Sequence, residues 1–124
     1  MVTIAEIFAQ NEVIVSYNGK SFDWPQIRDR YALHERGREL EKPPTHLDLV
    51  HHARRRWRRE LPNCKLQTLE WYLCGRRRTG DIPGREIPQA YHDYVRTGDT
   101  KHARSILHHN ALDLVTLLQL SMKF

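Results

Sequence analysis

Two cysteines are all that this chain of 124 residues contains, and Cys64 and Cys74 do not form a Cys-x-x-Cys pair. A disulfide framework is thereby excluded, and reduced thiols in a cytoplasmic protein are expected, one or both packed in the core. The eight histidines are scattered, and the pairs His51-His52 and His108-His109 lack the spacing that would close a zinc site with the cysteines. No apolar run approaches the roughly 20 residues that cross a bilayer, so no membrane partner is expected. Nothing reads as a signal peptide; residues 1–10 form a short amphipathic pattern with Ile4, Ile7 and Phe8 on one face. There is no low-complexity tract, internal repeat or heptad series. What remains is one small soluble domain over residues 1–124.

Charge is present in excess of one sign. Twenty Lys and Arg against fifteen Asp and Glu leave a net charge of +5. The surplus is local, in Arg54-Arg55-Arg56-Trp57-Arg58-Arg59 and in Arg76-Arg77-Arg78. Such clusters attract polyanions, nucleic acid first, although arginines also simply solvate a helix face. Arg54, Arg55 and Arg58 are the candidate nucleic-acid contacts.

The element pattern is mostly helical. A short helix over 3–11 leads into Val13-Ile14-Val15-Ser16-Tyr17, a β-branched run that predicts a buried strand. Asn18-Gly19 is a turn dipeptide, and Pro25 suits the first turn of a helix over 24–36 with Ile27, Tyr31 and Leu33 as its apolar stripe. A polar loop with two prolines follows to Pro44. Leu47, Leu49 and Val50 predict a short strand or direct entry into a helix to about Arg59, capped by Asp48 and packed through Val50, Ala53 and Trp57. A helix through Leu66, Leu69, Tyr72 and Leu73 closes at Gly75. Asp81-Ile82-Pro83-Gly84 is a turn-forming run. The next helix starts at Ile87-Pro88, packs through Tyr91, Tyr94 and Val95, and ends at Gly98. Asp99 or Thr100 caps a last helix to about Met122, so apolar all round that burial on most sides is expected.

Two carboxylates stand out. Asp23 sits where a strand hands over to a helix, the end of an α/β sheet at which ligands bind, although from this stretch alone a helix N-cap is the first reading. Asp113 lies inside the apolar last helix, where an ionised carboxylate is costly unless paired or bound to a metal. His109 precedes it by one helical turn. The alternative places both on an exposed stripe with Lys101 or Arg104.

The motif Asn18-Gly19-Lys20-Ser21-Phe22-Asp23 resembles the second conserved motif of DEDD-type 3′–5′ exonucleases, Asn-x-x-x-Phe-Asp, and His108-His109-Asn110-Ala111-Leu112-Asp113 resembles their third. Asp48 with the basic helix after it, and Asp81-Ile82-Pro83-Gly84 followed by Ile87-Pro88 and Tyr91, are most similar to the YprB-like branch of the ribonuclease H-like superfamily. The resemblance runs from about residue 3 to the end. It implies that Asp23 and Asp113 are two of four metal-binding carboxylates, that Phe22 packs beside a substrate strand, and that Asn18 orients the site. His109, or His108 in the other register of the third motif, would orient or deprotonate an attacking water. Position 109 fits the alignment around Asn110 better. In that chemistry two Mg²⁺ or Mn²⁺ ions about 4 Å apart flank the scissile phosphate, and such hard cations want carboxylate oxygens.

The family's first motif, Asp-x-Glu, supplies the other two carboxylates, and none of the fifteen acidic residues forms it. Only Glu6 and Glu12 precede the strand. The expectation is therefore a partial ribonuclease H-like α/β fold, mostly helical, with a short residual parallel sheet and the first three strands absent. Weak metal binding and little or no nuclease activity follow from two missing carboxylates. An open apolar sheet edge invites self-association or a partner chain. A non-catalytic nucleic-acid-binding or protein-interaction module is the other function class.

Overall fold

The computed structural model describes residues 3–40 and 45–124, which leaves Pro43 and Pro44 of the polar loop outside the described residues. The chain divides into two compact units, residues 1–64 and 65–124.

In the first unit, helix α1 (Ile4–Gln10) starts at a capping box: the Thr3 hydroxyl accepts the Glu6 backbone N–H, and the Glu6 carboxylate accepts the Thr3 N–H at 2.6 Å. Two donors that would otherwise have no partner at the helix start are satisfied reciprocally. Strand β1 (Val13–Ser16) pairs in parallel with strand β2 (Thr45–Asp48), with Val13 opposite Thr45 and Ser16 opposite Asp48. Parallel pairing needs a long crossover, and helix α2 (Asp23–His34) lies in it. β2 runs directly into helix α3 (Leu49–Trp57), so both readings of this join hold. Leu49, Val50, Ala53 and Trp57 are buried, as the i, i+3, i+7 spacing of the last three predicts.

Two expectations for this unit are corrected. β1 is not a buried strand: Val13 and Val15 are exposed, on a strand that pairs with β2 alone among the described residues. In α2, Ile27 and Tyr31 are half-buried but Leu33 is exposed. Ile27 and Tyr31 are four residues apart and share a face; Leu33, six from Ile27, turns away from it.

The second unit is helical. Helix α4 (Leu66–Cys74) ends at Gly75 and helix α5 (Ile87–Thr97) at Gly98, both glycines left-handed. A single 3₁₀ turn (Gly84–Glu86) precedes α5. Asp99 caps helix α6 (Thr100–Ser121) by accepting the Lys101 N–H, and both α4 and α5 pack on α6. Leu69 and Leu120 are its fully buried leucines.

Helix α6 corrects a third expectation. Leu107, Leu114 and Leu118 are 66%, 60% and 63% exposed. The buried residues of this helix are His109, Thr116 and Leu120. With half-buried Asp113 they fall at i, i+4, i+7 and i+11, a single stripe. The helix turns a largely polar stripe inward, with Leu120 at its end, and leaves Leu107, Leu114 and Leu118 outward, which requires polar partners on the elements against it. In α5, similarly, Tyr91 and Val95 stay exposed and Tyr94 is near the surface, while Ile87 and Ala90 take the more covered positions.

Candidate functional site

In the first unit the second-motif residues form a tight turn at the carboxyl end of β1. Asn18 is left-handed, with φ of 65°, a conformation that asparagine tolerates better than most residues. Gly19 is required by close approach: a Cβ there would lie 2.5 Å from the Ser16 Cβ and Oγ. The Asp48 carboxylate closes the turn from β2. It accepts the backbone N–H groups of Asn18 at 2.7 Å and Lys20 at 3.1 Å, and also that of Val50 at 3.2 Å, which caps α3. One buried side chain thus ties the motif turn to a helix start.

Asp23 is the first residue of α2 and exposed. Phe22 occupies the cap position and makes no side-chain cap bond, so Asp23 is not the cap that the sequence allowed. Its Oδ2 lies beside Gly19, 3.4 Å from where a Cβ would be. Phe22 is exposed. His46 Nε2 lies 2.8 Å from the Ser16 hydroxyl. Burial, and then Lys20, hold this imidazole below its usual value against the pull of Asp48 and Asp23.

The second unit gathers Glu70, Arg76, Arg78, Asp81, His109, Asp113 and Thr116. Glu70, 1% exposed, accepts from Arg76 at 2.9 Å, from Arg78 at 2.8 Å, and from the Thr116 hydroxyl. Burial would raise this carboxyl, but the Thr116 hydroxyl and the two guanidiniums outweigh it and hold the group below the usual range. Arg78, with a side chain 5% exposed, reaches three acids: Glu70, Asp81 at 3.3 Å and Asp113 at 2.8 Å. Burial works against its charge, and bonds to Glu70 and Asp113 more than restore it. His109 Nδ1 lies 2.7 Å from Asp81 Oδ2, and Nε2 lies 3.5 Å from Asp113 Oδ2. The Asp113 side chain remains 35% exposed.

Of the two third-motif registers, the structure buries His109 beside Asp113 and leaves His108 exposed. Neither Asp113 nor His109 lies on an exposed stripe with Lys101 or Arg104. Asp23 belongs to the first unit, Asp113 to the second.

The Arg76-Arg77-Arg78 cluster is corrected as a polyanion surface. Arg76 and Arg78 are spent on Glu70, and only Arg77 is exposed, its guanidinium 5.4 Å from the Trp71 ring centre. The first cluster differs. Arg54, Arg55, Arg58 and Arg59 are exposed and, with His51, Arg56 and Glu60, line an open concavity on α3. No described carboxylate lies within ion-pair distance of these arginines.

Glu70, Arg78, Asp81 and Thr116 were not evident as site residues in the sequence. Glu70 carried a signal, a lone acid in the apolar helix that follows Leu66 and Leu69. Asp81 was masked by a turn-forming run that accounts for aspartate without further purpose.

A model of the RNase H superfamily matches residues 1–124. The chain belongs to that superfamily. It is also 39% identical over 109 residues to the uncharacterized protein YprB of Bacillus subtilis (strain 168), an alignment that covers 86% of this chain and 26% of YprB. The chain thus spans about a quarter of the length of that relative. No solved structure matches. RNase H-like nucleases generally use divalent metals. Among the described residues no three His, Cys, Asp or Glu side chains converge as a metal site. Asp113 already faces Arg78 through one oxygen and His109 through the other. These residues by themselves do not fit a divalent cation, whose positive charge Arg78 in part replaces.

Proposed function

We propose that this chain carries the second and third motifs, the C-terminal part, of a ribonuclease H-like 3′–5′ exonuclease domain, a domain that hydrolyses nucleic-acid phosphodiester bonds with Mg²⁺ or Mn²⁺. The observation that supports this reading is the pairing of buried His109 with half-exposed Asp113 one turn along α6, in the order of the third motif. Asp23 is the second-motif carboxylate, on a turn that Asp48 holds rigid. Exposed Phe22 and the neighbouring Asn18 are the substrate-side residues of that turn. The isolated chain is expected to bind metal weakly and to cleave little or nothing. Two motif carboxylates do not balance two divalent cations, and one of them is already paired with an arginine.

The test is degradation of end-labelled single-stranded DNA and RNA with Mg²⁺ or Mn²⁺, comparing the wild type with Asp23→Asn and Asp113→Asn. Trace cleavage at most is expected, reduced further by either substitution. Efficient cleavage that persists in both variants would remove the site assignment.

A second reading is favoured by the arginine concavity on α3: binding of nucleic-acid phosphates without cleavage. Guanidiniums with no described carboxylate partner can displace counterions from a phosphate backbone.

A further inference from the structure

We propose that Asp81 is a positioning residue for His109: its carboxylate keeps the imidazole proton on Nδ1, so that Nε2 presents its lone pair at the mouth of the site beside Asp113. The inference rests on the reading of His109 as the group that orients or deprotonates an attacking water.

The geometry is specific. Asp81 and His109 side chains are 4% and 9% exposed, and Oδ2 lies 2.7 Å from Nδ1. Arg78 Nη1 reaches the same oxygen at 3.3 Å. The two groups anchored on Asp81 then face the two oxygens of Asp113, Arg78 at 2.8 Å and His109 at 3.5 Å. Asp81, Arg78, His109 and Asp113 thus close a ring across the loop and α6, and moving Asp81 moves both neighbours of Asp113.

The tautomer follows from the hydrogen bond. A carboxylate can only accept, so the nitrogen facing it carries the proton, and the other nitrogen is left as the base or acceptor. At 3.5 Å the Asp113 contact is too long to compete with the 2.7 Å bond. The loop that follows Asp81 frames the free edge. At Gly84 a Cβ would stand 3.8 Å from Nε2 and 4.0 Å from Cε1. Glycine there spares that edge the further contact a side chain would add.

The experiment reads the ring nitrogens of His109 by ¹⁵N NMR on the full chain at about pH 8.5, above the usual imidazole range, with His109→Gln identifying the signals. The wild type is expected as the Nδ1–H form. Asp81→Ala is expected to convert it largely to the Nε2–H form while the helical circular dichroism is retained. Asp81→Leu, which has no atom that can accept from Nδ1, provides a second variant read in the same way. An Nε2–H ring in the wild type, or unchanged tautomer signals in a folded variant, would overturn the proposal. The tautomer is read whether or not the chain cleaves, so failure here is separate from failure of the nuclease assay.

Discussion

The carboxylate of Asp48 accepts the backbone N–H of Asn18 at 2.7 Å, thirty residues away in sequence and at the same end of the parallel strand pair. A residue that caps one helix therefore also sets the conformation of the turn that leads to Asp23. Asp48→Ala removes three hydrogen bonds to one buried anion, and a loss of about 3 kcal/mol is expected in urea denaturation. Asp48→Asn, which keeps one accepting oxygen, is expected to lose about half of that.

Gly19 tests the same turn from inside. A Cβ at this position meets Ser16 at 2.5 Å, so Gly19→Ala is expected to cost about 1–3 kcal/mol through overpacking. Ser16→Gly clears the contact, and the double variant should melt above Gly19→Ala alone. Thermal denaturation of the three variants measures this coupling.

Glu70 predicts the acid limb. Its folded carboxyl is depressed by Thr116, Arg78 and Arg76 despite burial. A depressed carboxyl stabilises the fold above its unfolded value, about 4.3, and that contribution is lost as pH falls through the lower folded value. Glu70→Gln should flatten the pH dependence of stability below about pH 4.3. At neutral pH it should cost about 3 kcal/mol, because Arg76 loses its carboxylate and Arg78 loses one of its three. Urea titrations at stepped pH separate the two effects.

The arginine concavity predicts a salt slope. Each of Arg54, Arg55 and Arg58 that neutralises one phosphate should add about 0.7 to the slope of log affinity against log salt for a single strand. Replacing them singly by Gln should lower the slope by about that amount and weaken binding to all sequences alike. Arg78→Gln, by contrast, should unfold or loosen the second unit rather than change the slope, since Arg78 is buried among three acids.

Much of this protein was readable in one dimension because the signals are local. The Asp48 and Asp99 caps, the glycines that end α4 and α5, and the Val50–Ala53–Trp57 stripe each depend on residues within two turns. The motif order behind the ribonuclease H-like resemblance is likewise a matter of spacing along the chain, and the chain's membership of the RNase H superfamily agrees with that superfamily reading.

The phase of α6 was not readable. Its sequence is apolar on nearly every side, so periodicity leaves open which stripe turns inward. Glu70, forty-six residues upstream of Thr116, decides it by drawing Thr116 and two arginines into one buried network. The same network takes Arg76 and Arg78 out of the basic surface and leaves Arg54, Arg55 and Arg58 in it. Sequence by itself determined most of the elements, the Asp48 and Asp99 caps and the candidate carboxylates Asp23 and Asp113. Only tertiary structure decided which charges are paired, because the cost of burying a charge depends on partners brought from elsewhere in the chain.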